Sequence, residues 1–145
     1  MKRFKTATIE RHYNNFGQHA EQAVAFTLTG EIRTHGKLPY DAGSDIPEYF
    51  MSVKSSKFSL MSGNVCEAQD FEGIVEEFFR KTASRYFAYV TQDMECFVMD
   101  VQEFRNFVHQ FCILSRESTS NGGRNKVQMR KESKKVLRWL EVAVA

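Results

Sequence analysis

The chain has no long apolar run and no apolar leader, and each absence excludes a class of protein. A membrane-spanning helix needs roughly 18 consecutive apolar residues or more, and no segment of the 145-residue sequence approaches that length. The basic start, Met1–Lys5, is not followed by the apolar segment of a secretion signal. Together these absences predict a cytoplasmic protein that makes no membrane contact.

The sequence also lacks closely spaced cysteines. Its three cysteines, Cys66, Cys96 and Cys112, form no Cys-x-x-Cys pair, and no histidine lies at zinc-finger spacing from them. Free cysteines are most often buried. We therefore expect reduced thiols without a chemical role.

Composition indicates one ordinary globular domain. Hydrophobic residues make up 42% and charged residues 26% of the chain, as in typical folded proteins. Thirteen phenylalanines against a single tryptophan predict a core filled by phenylalanine. No repeat or long linker divides the chain, so we expect a single domain over residues 1–145, with a core over 15–113 and a basic extension over 114–145.

Apolar periodicity and turn residues predict alternating helices and strands. Residues 1–13 are polar and basic and are interpreted as a partly extended leader. Asn14 or Asn15 and Gly30 are typical of the two ends of a helix. Asp100 and Glu103 form a capping-box pattern at the start of another helix. This order predicts an α/β fold in which a mixed central β-sheet is flanked by helices. The predicted helices cover about 15–29, 68–82, 101–111 and 131–142, and the predicted strands cover 49–55, 85–91 and 96–100. Residues 55–64 either continue the first of these strands or form a second one, and a further short strand is expected near 126–129.

The segment 43–57 is the most informative part of the sequence. A turn delivers Asp45, and a short apolar run then ends in Ser52, a valine and Lys54. Residues two apart in a strand share a face, so Ser52 and Lys54 point the same way, and Asp45 can join them across a bent hairpin. An acid that holds a divalent cation, beside a lysine near the attacked phosphate, is what metal-assisted phosphodiester cleavage requires.

This arrangement resembles the PD-(D/E)xK nuclease superfamily, the restriction-endonuclease-like proteins. The matching pieces are a helix with Glu21, a turn with Asp45 and a strand with Lys54, followed by a helix and a strand over residues 15–100. The whole chain also looks like small restriction-type proteins of bacterial mobile elements. The resemblance implies a restriction endonuclease-like core with a basic C-terminal helical elaboration. It also implies a Mg²⁺-dependent endodeoxyribonuclease, in which Mn²⁺ can substitute, that acts on double-stranded DNA. Because cutting both strands usually takes two active sites and one chain of this size offers one, we expect a homodimer.

The resemblance assigns a role to each matching residue. Asp45 would be the metal-binding aspartate, although Ser44 rather than proline precedes it. Lys54 would be the catalytic lysine, which orients or helps to deprotonate a metal-bound water, and cleavage would leave a 5′-phosphate. Glu21 matches a glutamate that some branches carry on the first helix. The carbonyl of Val53 and a phosphate oxygen would complete the oxygen ligands that Mg²⁺ prefers.

Ser52 departs from the family pattern, because it occupies the place of the second acid. Some members carry Ser or Gln there and take an acid from elsewhere in the chain. Glu67 and Glu48 are candidates for that acid, beside Glu21. The departure keeps two alternatives open, a DNA-binding protein that has kept the fold and lost catalysis, and a protein-binding regulator of a defence system.

Basic residues are concentrated at both ends of the chain, around an acidic middle. This pattern is equally typical of a phosphate-binding rim and of a solvated charged helix. The polar loop 118–124 is suited to entering a DNA groove, and hydroxyls and lysines commonly bind phosphates without reading sequence. The predicted DNA contacts are Gln18, Ser55, Ser56, Lys57, Arg116, Asn121, Arg124, Arg130 and Lys134.

Overall fold

A computed structural model of the chain describes residues 1–10, 13, 15–32, 44–56, 59–62, 69–117, 124–129 and 131–145. Within these ranges no helix is long and apolar enough to cross a membrane. A short 3-10 helix, Pro47–Tyr49, precedes the second strand. The strands are β1 (Lys2–Lys5), β2 (Met51–Ser55), β3 (Ser59–Ser62), β4 (Tyr86–Val90), β5 (Glu95–Asp100), β6 (Ile113–Glu117) and β7 (Arg124–Gln128). The helices are α1 (Phe16–Thr29), α2 (Phe71–Lys81), α3 (Val101–Phe111) and α4 (Lys134–Val144).

The main sheet is mixed, as predicted. Its four described strands follow the order β1-β5-β4-β2. β2 and β4 are parallel, whereas β4 with β5 and β5 with β1 are antiparallel. Parallel neighbours need a long crossover connection, and the segment that contains α2 supplies it here. β2 is the outermost described strand on one side, so its polar residues lie at an edge of the sheet.

Helices cover both faces of this sheet. On one face α1 packs Ala20 and Val24 against Met51, Ala88 and neighbouring apolar side chains. On the other face α2 and α3 bury a cluster of aromatic residues against β4 and β5. The predicted phenylalanine core is confirmed on this second face. The central aromatic contacts involve Phe78, Phe79, Phe87, Phe104 and Phe107.

The predicted helix caps are confirmed. The Asn15 side chain accepts a hydrogen bond from the backbone of Gln18 at 2.7 Å, which satisfies one unpaired N–H of the first turn of α1. Gly30 ends α1 with a φ of 77°, a left-handed conformation that glycine adopts without steric cost. Asp100 and Glu103 form the capping box at the start of α3. Local sequence therefore sets where these two helices begin.

The C-terminal third differs from the predicted helical elaboration. Besides α4 and the strand predicted near 126–129, which is β7, it contains the unpredicted strand β6. These two strands form a second sheet with β3 in the order β3-β7-β6. Val127 of β7 and Leu140 of α4 belong to the same core cluster as α2 and α3. The Tyr89 hydroxyl of the main sheet also donates a hydrogen bond to Glu132 at 2.9 Å. The C-terminal third is therefore part of the main core.

Part of the N-terminal leader is a strand, in agreement with its interpretation as partly extended. β1 pairs with β5 over four residues, from Lys2 opposite Val98 to Lys5 opposite Glu95. The sequence gives little indication of this strand, because three of its four residues are basic. A strand at a sheet edge can form with backbone pairing and a single inward side chain. Phe4 supplies that side chain and packs against the α1 side of the core.

Replacing Phe104 by alanine should strongly destabilise the fold. Phe104 is 0% exposed and stacks on Phe87 with ring centroids 4.4 Å apart. Loss of a buried phenylalanine ring costs about 3–5 kcal/mol. Urea denaturation measures the change in the free energy of unfolding. Val142→Ala is the control, because Val142 is 67% exposed and should change stability little; equal losses in the two variants would contradict this description of the core.

Candidate active site

Three residues predicted to meet do so in one cleft. Asp45, Ser52 and Lys54 line a cleft of about 410 Å³ at the edge of the main sheet. The sequence argument placed them together because residues 52 and 54 share a strand face. The opposite wall comes from α2 and the residue after it, with the side chains Glu77, Phe78, Lys81 and Thr82.

A tight turn brings Asp45 beside β2. Pro47 begins the short 3-10 helix, and the backbones of Ile46 and Met51 pair across it with N–O distances of 2.9 and 3.2 Å. The Asp45 Oδ2 atom accepts a hydrogen bond from the Val53 N–H at 2.7 Å. A carboxylate that accepts a backbone N–H is held in both position and orientation. The carboxyl group of Asp45 is therefore fixed by one oxygen, and the other oxygen is left for a ligand in the cleft.

Lys54 is held inside the cleft wall. Its Nζ atom donates a hydrogen bond to the Leu60 carbonyl at 2.9 Å and lies 5.0 Å from the centre of the Phe78 ring. Burial lowers the pKa of the Lys54 amine from its usual 10.5, while the negative charges of Asp45 and Glu21 oppose that shift. An amine with a lowered pKa gives up a proton more readily than a solvated lysine does.

Glu21 reaches the same group from α1. Burial, and after it the charge of Asp45, raise the pKa of the Glu21 carboxyl from 4.5 to about 7, while the Lys54 charge opposes the rise. Glu21, Asp45 and Lys54 thus influence one another electrostatically across the β2 edge. Perturbed carboxyl and amine groups of this kind are concentrated at functional sites.

Ser84 is a cleft residue that the sequence did not indicate. Its hydroxyl hydrogen bonds to the hydroxyls of Ser44 and Ser52, at 2.6 Å in each case. Ser52 is 7% exposed and Ser84 is 4% exposed, so this chain of hydroxyls is nearly enclosed. Ser84 lies in the loop between α2 and β4 and carries no motif of its own. The contact explains why a small hydroxyl residue suits position 52.

Glu77 is the second cleft residue that sequence reasoning missed. It accepts hydrogen bonds from Lys81 at 2.6 Å and from Gln69, and these bonds, that of Lys81 first, lower the pKa of its carboxyl. Glu77 is therefore an ionised carboxylate on the wall opposite Asp45. In the sequence it forms an ordinary Glu-x-x-x-Lys surface pair, which gives no indication of a site.

The oxygen donors of the cleft fit Mg²⁺ better than a metal that prefers nitrogen or sulfur. Asp45 and Glu77 line the cleft, and Val53 lies on β2 between two lining residues. Mg²⁺ is commonly bound by one or two carboxylates and retains several waters or phosphate oxygens. Among the residues that the structure describes, no group of three or more His, Cys, Asp or Glu side chains could by itself hold a metal ion. A cation here would therefore depend on water or phosphate for the remaining ligands.

The other predicted acids do not join this group. Glu48 lies in the 3-10 helix before β2 and is not among the side chains that line the cleft. Glu67 lies outside the described residues. Glu21 does not line the cleft either, but it interacts electrostatically with Asp45 and Lys54. The second acid is thus either Glu21, on the α1 side, or Glu77, on the α2 side.

The predicted DNA contacts are dispersed. Ser55 and Ser56 are only 4% and 8% exposed, so the predicted phosphate contacts of these two hydroxyls disagree with the structure. The disagreement arises because the end of β2 and the residue after it are buried. Gln18 is half-buried in the first turn of α1, and Arg116 and Lys134 are exposed on β6 and α4, without lining the cleft. Lys57, Asn121, Arg130 and the side chain of Arg124 lie outside the described residues.

The two cysteines that the structure describes are structural. Cys96 and Cys112 are free and buried. Burial raises the pKa of each thiol to about 12, so both are protonated at neutral pH. A protonated, enclosed thiol is a poor nucleophile and a poor metal ligand. Cys66 lies outside the described residues.

Comparison of the chain with protein-family models, with curated proteins and with solved structures gave no match. The PD-(D/E)xK resemblance therefore stays a prediction that rests on the motif and on the order of elements. The functional argument depends on the geometry of the cleft, above all on Asp45 and Lys54.

The raised pKa of Glu21 predicts a specific pH dependence of stability. Between pH 4.5 and about 7 the folded protein keeps a proton that the unfolded chain has released, so Glu21 lowers the free energy of unfolding as the pH rises. Glu21→Gln lacks this titration. We expect the variant to gain stability relative to the natural protein across that interval, as measured by urea denaturation in EDTA.

The control for this pH experiment is Glu31→Gln, just beyond the end of α1, where the residue is exposed. Its stability should follow that of the natural protein at every pH. If the curves of the natural protein and Glu21→Gln ran parallel through the interval, the electrostatic description of the cleft would be wrong.

Proposed function

We propose that this protein is a metal-dependent endodeoxyribonuclease that hydrolyses phosphodiester bonds in double-stranded DNA. The observation that carries the proposal is the meeting of Asp45 and Lys54 in one cleft, within the electrostatic reach of Glu21. Withdrawing a lysine and carboxylates from water is costly. Such groups persist where their chemistry is needed more than the stability they remove.

The order of elements supports a restriction endonuclease-like core. A helix with Glu21 leads to the Asp45 turn and then to the strand with Lys54, and a crossover through α2 leads to the parallel strand β4. The PD-(D/E)xK resemblance rests on this order of elements. The structure adds the crossover and the parallel pairing of β2 with β4. A homodimer with two such clefts would cut both strands of a duplex.

Each cleft residue has a role in this proposal. Asp45 and Glu77, from opposite walls, would hold Mg²⁺, or Mn²⁺ in its place, which supplies positive charge at the phosphate and lowers the pKa of a bound water. Lys54 would orient the attacking water and accept its proton, for which a lowered pKa is suited. Lys81, exposed beside the cleft, would attract the DNA backbone.

We propose that Glu77 supplies the second acid, which the family pattern has at the position of Ser52. Ser52 is committed to its hydrogen bond with Ser84. Glu77 lines the same cleft and is ionised, whereas the pKa of Glu21 is raised to about 7. An ionised carboxylate binds a cation without first losing a proton. Glu21 would then tune Asp45 and Lys54 rather than bind the metal first.

The second candidate function is DNA binding without cleavage. It is favoured by Ser52, and by the lack of a preformed group of three ligands among the residues that the structure describes. Such a protein would bind DNA with an affinity that falls steeply as salt rises, and would leave the strands intact in Mg²⁺.

Removing the charge of either central residue should abolish cleavage. We expect Asp45→Asn and Lys54→Met, which keep the side-chain size, to lower Mg²⁺-dependent cleavage of plasmid DNA at least about 100-fold. Gel assays of nicked and linear products, with EDTA as the blank, measure this loss. Asp93→Asn, the same chemical change in the β4–β5 turn, should cleave normally; undiminished cleavage by Asp45→Asn or Lys54→Met would refute the assignment.

Glu77 and Glu76 provide a matched pair of variants on one helix. Glu77 lines the cleft, whereas Glu76 forms an ion pair with Arg105. Glu77→Gln should reduce cleavage strongly and raise the Mg²⁺ concentration needed for half-maximal rate, because one ligand has lost its charge. Glu76→Gln should do neither. If the two variants needed the same Mg²⁺ concentration for half-maximal rate, Glu77 would not be the second acid, and Glu21 or Glu67 would take that role.

A further inference from the structure

Phe50 has a left-handed backbone conformation and an exposed aromatic side chain, and neither feature by itself favours folding. Its φ is 51° and its ψ is 42°, a left-handed conformation in which a bulky residue is strained. Its side chain is also 50% exposed to solvent. Asparagine or glycine would suit this backbone better. A strained, exposed aromatic residue is a candidate for a functional contact.

Three backbone hydrogen bonds hold Phe50 in place. Its N–H donates to the Pro47 carbonyl at 3.1 Å, and its carbonyl accepts from the N–H groups of Arg85 and Tyr86 at 2.7 and 3.1 Å. These bonds join the start of β2 to the start of β4. The ring therefore projects from a fixed backbone, as a binding platform requires.

Arg85 completes a stacking surface with Phe50. Its guanidinium carbon lies 5.1 Å from the centre of the Phe50 ring, and Arg85 is exposed. Nucleic-acid bases stack on aromatic rings and on guanidinium planes, and the positive charge favours the adjoining phosphates. The pair thus combines the two features of a site for an unpaired base.

This surface adjoins the cleft. Ser84, which immediately precedes Arg85, hydrogen bonds to the cleft residue Ser52 at 2.6 Å. Thr82, two residues earlier, lines the cleft itself. Phe50 and Arg85 do not line the cleft themselves, but Phe50 is two residues from Ser52 and Arg85 is next to Ser84 in the chain. A DNA strand bound in the cleft would reach them by extending along the starts of β2 and β4.

We propose that Phe50 and Arg85 form a stacking platform for an unpaired base next to the phosphate in the cleft. The inference rests on the proposed function and narrows its substrate. Bases within an intact duplex stack on one another, so the platform is useful only where a nucleotide is unpaired. The preferred DNA is then a duplex with a gap or another single-stranded position.

The test compares a fluorescein-labelled duplex that contains a short single-stranded gap with the same duplex intact. Binding is measured by fluorescence anisotropy at low salt in EDTA, so that no cleavage occurs. The natural protein should bind the gapped duplex more tightly. Phe50→Asn, which suits the backbone and removes the ring, should bind it about tenfold more weakly, as expected for one lost base stack, and bind the intact duplex nearly as before. Phe50→Trp, which keeps an aromatic ring at this position, should keep the preference for the gapped duplex.

Leu114→Ala is the control, because it removes an apolar side chain that is 41% exposed on β6 and should leave both affinities unchanged. Thermal melts establish that each variant is folded. Unchanged binding of the gapped duplex by Phe50→Asn would overturn the platform. A Phe50-dependent gap preference without Mg²⁺-dependent cleavage would support the platform and refute the nuclease, while no binding of either DNA by the natural protein would overturn both.

Discussion

The parallel pairing of β2 with β4 is the constraint on which the rest of the structure depends. It places Ser52 opposite Phe87 and Lys54 opposite Tyr89, so polar residues share a sheet face with the aromatic core. Because parallel strands cannot be joined by a tight turn, the chain must cross over, and α2 in that crossover forms the second wall of the cleft. The site is therefore a consequence of topology, and a change in the register of β2 by one residue would turn Lys54 towards α1.

The cleft opposes the stability of the fold that forms it. Burial raises the pKa of Glu21 and lowers that of Lys54, which shows that both groups are disfavoured as ions in this environment. The phenylalanine cluster on the same sheet face provides compensating apolar burial. Phe78 links the two, because its ring contacts Phe104 in the core and lies under the Lys54 amine. Core and site are thus adjacent layers of one face.

Local signals in the sequence predicted local structure well. Asn15, Gly30 and the Asp100 capping box gave helix ends to within a residue or two, because caps act over a few residues. The period of two in a strand also placed Ser52 and Lys54 together. The contacts of Ser84 with Ser52 and of Glu77 with the cleft span distant parts of the chain, and they depend on how α2 docks. The strand β6 was missed for a similar reason, since its pairing with β7 is set by tertiary contacts rather than by alternation.

The position of Ser52 follows from the crowding around it. A carboxylate there would lie near Asp45 and would displace the hydroxyl chain through Ser84, which is nearly enclosed. If Glu77 is the second acid, as proposed, the two carboxylates come from different elements, Asp45 from the turn before β2 and Glu77 from α2. Glu77 can stay ionised in that place because Lys81 and Gln69 hold it. A serine at position 52 is then compatible with a working metal site, provided that the helix wall supplies the charge that the strand has lost.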